Sequence, residues 1–189
     1  MWEKLLQGRC LMYGGSDLNF SLAARVLGIK NPFQIPDADF KRVSRHIIAL
    51  RRNVLTYYEK PEDASALFMQ NQIALLFANY GSQQVTLLQN AGADIGYVIP
   101  EEGALAWLDC WSITRFAQNR TLAEAWINFT LEEPVSRALT QRQGLPNTLE
   151  DSPALGKADK IIWLQQVENN SKRKSLWDKI ISGEVPDVF

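Results

Sequence analysis

A chain of 189 residues has room for one large or two small domains. Hydrophobic residues make up 46% and charged residues 22%, with a net charge of −1, so there is no basic surplus to favour nucleic acid. His46 is the sole histidine, and the two cysteines, Cys10 and Cys110, stand far apart, which excludes a metal centre rich in histidine or cysteine and leaves a disulfide open.

No stretch approaches the ~20 apolar residues of a membrane-spanning helix. The segment Met1–Arg9 lacks the apolar core and small-residue cleavage site of a secretion signal. The expectation is either a cytosolic protein or a segment from inside a longer chain.

Cys10–Tyr13 reads as a short strand that ends at Gly14-Gly15. Ser16 is placed to cap the next helix, with Asp17 in its first turn, Leu18, Leu22 and Leu27 on its inner face and Gly28 at its end. After a loop marked by Pro32 and Pro36, Asp37 is placed to cap a second helix. Its residues Phe40, Val43, Ile47 and Leu50 recur at spacings of three and four, the pattern of one buried stripe. His46 lies beside that stripe among Arg42, Arg45 and Arg51, a solvated or half-buried position rather than a ligand's.

Val54–Tyr58 is a strand or a helix tail, and Pro61 opens a short helix with Glu62 and Asp63 near its N-terminus. The continuous apolar run Ile73–Ala78 predicts a strand buried on both faces. Ser82 caps a helix to Asn90, with Gly92 beyond it. Ile95–Ile99 and Leu105–Ile113 are expected to be strands, joined by a Pro100-Glu101-Glu102-Gly103 turn. Thr121 and Glu124 form a capping box for a helix carrying Trp126, Phe129 and Leu131. Pro134 starts another helix ending at Gly144, Ile161–Leu164 is short and apolar, and the final helix spans roughly Ser171–Ser182, burying Leu176, Trp177, Ile180 and Ile181. Strands alternating with helices to about residue 100 predict an α/β fold with largely parallel pairing.

The segment with the most chemical content is Trp107-Leu108-Asp109. On a strand, positions i and i+2 share a face, so the indole and the carboxylate would stand side by side. A ring face beside an anion suits a protonated amine on a methylene stem. Trp111 would extend the same face. No nucleophile elbow, phosphate loop or paired acid–base motif points to an enzyme.

These elements and residues resemble the solute-binding proteins of ABC transporters, in particular the spermidine/putrescine-binding branch. The likeness rests on Asn53-Val54 with Tyr57-Tyr58, Met69–Leu75, the run Ala91–Gly103 with its Pro-Glu-Glu-Gly turn, Trp107-Leu108-Asp109, Ala117–Leu131 and the Gly144-Leu145-Pro146-Asn147 turn. It implies a periplasmic-binding-protein-like (type II) architecture: a C-lobe with a mixed, mostly parallel sheet plus a partial second lobe. Residues 1–99 would form the first part of the C-lobe, 100–150 a partial N-lobe segment with the hinge crossings, and 151–189 the tail closing the C-lobe. The first half of the N-lobe, on the order of a hundred residues, would be absent.

The resemblance implies a ligand-binding component of an importer, with no catalytic residues, cofactor or metal. Its ligand would be putrescine, spermidine or a γ-amino acid, and its partner a membrane permease in a periplasmic full-length parent. Carried over residue by residue, the ligand-binding set is Trp107, Asp109, Tyr80, Gln165 and Asp17. Gly15 and Leu18 stand where the family has two carboxylates, and Leu145 where it has a tyrosine. These departures favour a shorter diamine or an amino acid, whose carboxylate would suit the helix start at Gly14-Gly15-Ser16. The alternative is a stand-alone sensor or interaction domain derived from such a protein, a homodimer covering the missing half-lobe.

Overall fold

The computed structural model describes residues 1–151 and 160–184. Two compact units divide the chain, one of Met1–Asn79 with Leu164–Phe189 and one of Tyr80–Trp163. The expected lobe limits after residues 99 and 150 both fall inside the second unit, and part of the expected tail, residues 152–159 and 185–189, lies outside the described residues.

The first unit is built on three parallel strands, β1 (Cys10–Tyr13), β2 (Val54–Tyr58) and β3 (Leu75–Leu76), in the order β2-β1-β3. Being central, β1 is buried along Cys10-Leu11-Met12, as its unbroken apolar run requires. Its register with β2 slips by one residue at Leu55, and that extra residue points to solvent. The strand expected over Ile73–Ala78 shrinks to two residues with Leu75 exposed, because β3 pairs on one side only, at the edge of the sheet.

Between the strands run α1 (Ser16–Val26), α2 (Phe40–Arg51) and α3 (Pro61–Gln70), and α7 (Asn170–Ile181) closes the unit. The stripe read on α2 is buried along its whole length, at Phe40, Val43, Ile47 and Leu50. It packs with Phe20, Ala23 and Ala24 of α1 and Trp177 and Ile180 of α7. On α1 the expected face is wrong. Leu18, Leu22 and Leu27 are only half-buried, while Asn19, Phe20, Ser21, Ala23 and Ala24 turn inward. The two alanines let neighbouring helices approach closely, and the buried Asn19 and Ser21 have hydrogen-bonding work described below.

Helix α1 ends as its glycine predicts. Gly28 takes φ +77°, Gly28 N–H donates to Arg25 O at 3.0 Å, and Ile29 N–H reaches back to Ala24 O at 2.9 Å. Helix α2 starts differently from expectation. A 3-10 turn, Asp37–Asp39, precedes it, and the Asp37 carboxylate caps nothing but pairs with Lys172 Nζ at 2.7 Å. The final helix buries Trp177 and Ile180, leaves Leu176 half-buried and exposes Ile181. The N-terminal residues are tied down: Asn53 Nδ2 donates to Met1 O and Glu3 O, both at 2.8 Å, and the Trp2 indole stacks on His46 at 4.4 Å.

The second unit holds α4 (Ser82–Asn90), β4 (Ala104–Ala106), α5 (Arg120–Thr130), α6 (Glu133–Gln143) and β5 (Ile161–Trp163), with β4 and β5 parallel. The Pro-Glu-Glu-Gly turn is present, closed by Gly103 N–H to Pro100 O at 2.9 Å. Gly103 takes φ +100°, and a Cβ there would lie 2.7 Å from Lys160 O, so only glycine fits. Gly144 ends α6 at φ +66°, and its carbonyl accepts from Ser82 Oγ at 2.7 Å, docking the end of α6 on the start of α4.

Three expectations fail in this unit. Ile95–Ile99 is not a strand, and the strand expected over Leu105–Ile113 stops after Ala106. The cap of α5 is Asn119, whose Oδ1 accepts from Leu122 N–H at 2.9 Å, not Thr121. The apolar stripe of α5 meets nothing that covers it: no residue of the helix is buried, and Trp126, Phe129 and Leu131 are about half exposed. Among the described residues of this unit, Leu88 is the one fully buried large apolar side chain.

Both cysteines are free, Cys10 buried and Cys110 exposed, so the disulfide left open by the sequence does not form. No helix among the described residues is long and apolar enough to cross a membrane.

Candidate functional site

In the first unit the three strands run parallel, so their carboxyl ends share one edge of the sheet. The chain leaves β1 for β2 on one side and later places β3 on the other. A reversal of that kind opens a crevice beyond the strand ends, the usual ligand position in parallel α/β sheets.

Tyr13 ends β1 and Tyr58 ends β2, and their rings meet edge to face at 5.8 Å. The turn after β1 is held by Asn19, whose Nδ2 donates to Tyr13 O at 2.7 Å and to Gly15 O at 2.8 Å. That pair of hydrogen bonds explains why a polar residue is buried on α1. Gly14 N–H donates to Tyr58 O at 2.8 Å. Gly15 is bare for a steric reason: a Cβ would come within 2.6 Å of Tyr13 Cε1. The Tyr58 hydroxyl donates to Phe77 O and accepts from Asn79 N–H at 3.1 Å, fixing the segment after β3.

Asp17 stands half-buried in the first turn of α1. Its carboxylate accepts from Ser16 Oγ at 3.3 Å, and the Asn170 side-chain amide, with its nitrogen toward the acid, donates to it at 2.8 and 3.2 Å. Asp17 O accepts from Arg173 Nη1 at 2.9 Å. Arg173 is completely buried and spends its remaining donors on Ser21 Oγ, Pro32 O and both oxygens of Glu168. Burial pushes the Glu168 carboxyl up, but the bonds from Arg173 and from Ile35 N–H outweigh it and hold it below the usual range. Gln165, also in this unit, is exposed on the segment leading to α7.

In the second unit Trp107 and Asp109 follow β4 in chain without regular structure, so the strand geometry that would have put them on one face is absent. Both are exposed, Trp107 by 39% of its surface. Asp109 makes no ion pair or hydrogen bond with another described residue, and stays open to a ligand's donors. Trp111 does not extend a common wall with them; its ring packs edge-on against Trp126 at 6.3 Å. Tyr80 is half-buried at the start of this unit, its N–H on Gln84 Oε1 at 3.0 Å. No group of three or more His, Cys, Asp or Glu among the described residues could hold a metal ion.

The structure thus places Asp17 and Gln165 in one unit and Tyr80, Trp107 and Asp109 in the other. Tyr13, Glu59 and Asn79 were missed from sequence. Tyr13 closes β1, Glu59 directly follows β2 and Asn79 lies three residues beyond β3.

The sequence profile of the bacterial extracellular solute-binding proteins matches residues 2–167. The spermidine/putrescine-binding periplasmic protein of Escherichia coli (strain K12) is 25% identical over 146 residues, covering 77% of this chain and 40% of that protein. The spermidine/putrescine-binding periplasmic protein 1 of Haemophilus influenzae (strain ATCC 51907 / DSM 11121 / KW20 / Rd) is 27% identical over 158 residues, 83% of this chain and 42% of that protein. The chain therefore spans about two-fifths of the length of these relatives. Parallel strands with helical crossovers agree with the fold of such proteins. By a match that runs through most of its length, the chain belongs to the bacterial extracellular solute-binding protein family.

Proposed function

We propose that this chain carries the ligand-binding chemistry of the solute-binding component of an ABC importer, with a small protonated amine as ligand. Putrescine, spermidine or a γ-amino acid fits that description. Asp109 carries the reading: an exposed carboxylate with no partner among the described residues, two positions from an exposed indole. An ammonium group would gain charge-assisted hydrogen bonds from the acid and a ring face from Trp107. The names of the curated relatives support the same ligand class.

On this reading Tyr80, Gln165 and Asp17 are further contacts, the units are parts of the two lobes of a binding protein, and the whole protein works outside the cytoplasmic membrane with a permease. No chemical step is involved; binding is the functional event. Isothermal titration of the polypeptide that contains this chain with putrescine, spermidine and γ-aminobutyrate tests it. Heat and a raised unfolding temperature with one of them are expected. Neither effect with any small amine would defeat the reading.

A further inference from the structure

The segment ahead of β1 is strapped to the end of α2 by a small set of contacts. The Trp2 ring stacks on His46 at 4.4 Å with 18° between the planes, and its Nε1–H donates to His46 O at 2.9 Å. The other holds are polar. Asn53 Nδ2 donates to Met1 O and Glu3 O, Arg52 Nη2 to Trp2 O at 3.4 Å, and Gly8 N–H to Arg52 O at 3.2 Å. No residue of 1–9 is buried, and the 3-10 turn Lys4–Leu6 leaves Leu5 88% exposed, so the half-buried Trp2 is the aromatic anchor of this segment.

His46 makes that anchor depend on a proton. Its Nε2 is buried with no hydrogen-bond partner among the described residues. Charging the ring makes Nε2 a buried donor without an acceptor among them, and removes a cation from water. The indole face attracts a cation, but one weak contact offsets little of that cost. The charged neighbours do not supply the rest. On α2 they are Arg45, one residue before, and Arg42, one turn before, itself held on Asp39 at 3.1 Å. The end of α2 adds Arg52, and the first segment adds Glu3, Lys4 and the Met1 amino group. Basic groups outnumber acids on both elements, so a charged imidazole meets no surplus of anions.

We propose that the Trp2–His46 stack is a proton-operated fastening: protonation of His46 releases Trp2 and loosens residues 1–8, the segment leading into the central strand, while the rest of the first unit stays folded. The core of that unit, with Phe20, Phe40, Val43, Ile47 and Trp177, contains neither partner of the stack, so opening needs no change there. Burial holds the His46 imidazole below its ordinary range near 6.5. The fastening is therefore complete above that range and weakens as pH falls through the lowered value. Linkage runs both ways: removing Trp2 must ease protonation of His46. None of these residues belongs to the amine reading, and the inference stands apart from it.

The test is an NMR titration of the 189-residue chain from about pH 7.5 to about pH 5, read at the Trp2 indole N–H and at the ring protons of the sole histidine. On acidification the Trp2 indole resonance is expected to move toward its solvent-exposed position with the midpoint of His46. Its hydrogen-exchange protection is expected to fall about tenfold or more, while the Phe20 and Trp177 resonances hold still. His46→Gln is expected to leave Trp2 indifferent to pH. Trp2→Ala, a change outside the core, is expected to move the His46 midpoint up toward the ordinary imidazole range. A Trp2 resonance that ignores the His46 titration would overturn the proposal, as would a His46 midpoint unmoved in Trp2→Ala. Phe20 and Trp177 shifting together with Trp2 would overturn it equally, by showing loss of the whole unit rather than release of one segment.

Discussion

Arg173 lays Nε on one carboxylate oxygen of Glu168 and Nη2 on the other, each at 2.8 Å. A guanidinium fork on a carboxylate fixes orientation as well as charge. The remaining bonds, to Asp17 O, Ser21 Oγ and Pro32 O, tie α7 to the start of α1 and to the loop after it. Because Arg173 is wholly buried and fully paired, removing it strands the Glu168 carboxylate and three acceptors. Arg173→Met is expected to cost about 3–5 kcal/mol in urea unfolding, the range for breaking a buried ion pair. Arg173→Lys will not rescue it, since an ammonium cannot span the fork. A loss under ~1 kcal/mol would show that α7 is held by Trp177 and Ile180 alone.

The Glu168 carboxyl titrates below its ordinary value in the folded chain. The unfolded chain therefore takes up the proton first as pH falls, and the stabilisation is present above the ordinary carboxylate range and lost as pH drops through the lowered value. Glu168→Gln should flatten that acid limb of the unfolding temperature and leave its slope near neutrality unchanged. An unaltered acid limb in the variant would contradict it.

His46 acts in another window. Burial against Trp2 lowers its value, and its Nε2 is buried with no partner among the described residues. Between that lowered value and the ordinary one near 6.5, the unfolded chain holds more protons than the folded one, so stability rises with pH. Unfolding temperature measured from pH 5 to 7.5 should climb, and His46→Gln should climb less. A flat profile in the wild type would refute the sign.

For the proposed amine site, Asp109→Asn keeps the size and removes the charge. Affinity for the active amine should fall about tenfold or more, the scale of one hydrogen bond to a charged group. Trp107→Ala should lose about threefold to tenfold through the missing ring face. Both side chains are exposed, so the urea midpoints of both variants should stay at wild type. Titration calorimetry and urea unfolding on the same samples separate a lost contact from a lost fold.

The exposed aromatic run on the second unit predicts a contrast in stability. Trp126 contacts Trp111 and Phe129 but is 52% exposed, so Trp126→Gln should change stability by less than about 0.5 kcal/mol. Trp177, buried against Tyr57 at 5.0 Å, should cost about 3–5 kcal/mol on truncation to alanine. The wild-type chain should also enhance the fluorescence of an apolar dye, and Trp126→Gln with Phe129→Gln should diminish it.

The contrast between α2 and α5 explains where sequence reading succeeds. Both carry apolar residues at helical spacing, and both are helices. On α2 the stripe is buried because α1 and α7 supply a surface for it; on α5 it stays in solvent because the described chain supplies none. The Trp107 and Asp109 pair shows the same limit. The residue types were legible, while their shared face was not, since a strand exists only where another strand offers hydrogen bonds, and β5 reaches no further than Ala106 of β4.

The amino-acid sequence by itself determined the local punctuation: the α/β alternation, the α2 stripe, the helix ends at Gly28 and Gly144, the turn closed by Gly103, and the residue types that suit an amine. Those follow from backbone sterics and spacing within a few residues. Only the tertiary structure decided that Arg173 is sealed inside on Glu168, that the Tyr13 ring occupies the space over Gly15, and that Asn79 keeps a buried oxygen unpaired. Each of these joins positions far apart in the chain or depends on what fills the space beside a strand end, and packing of that kind has no signature in local spacing.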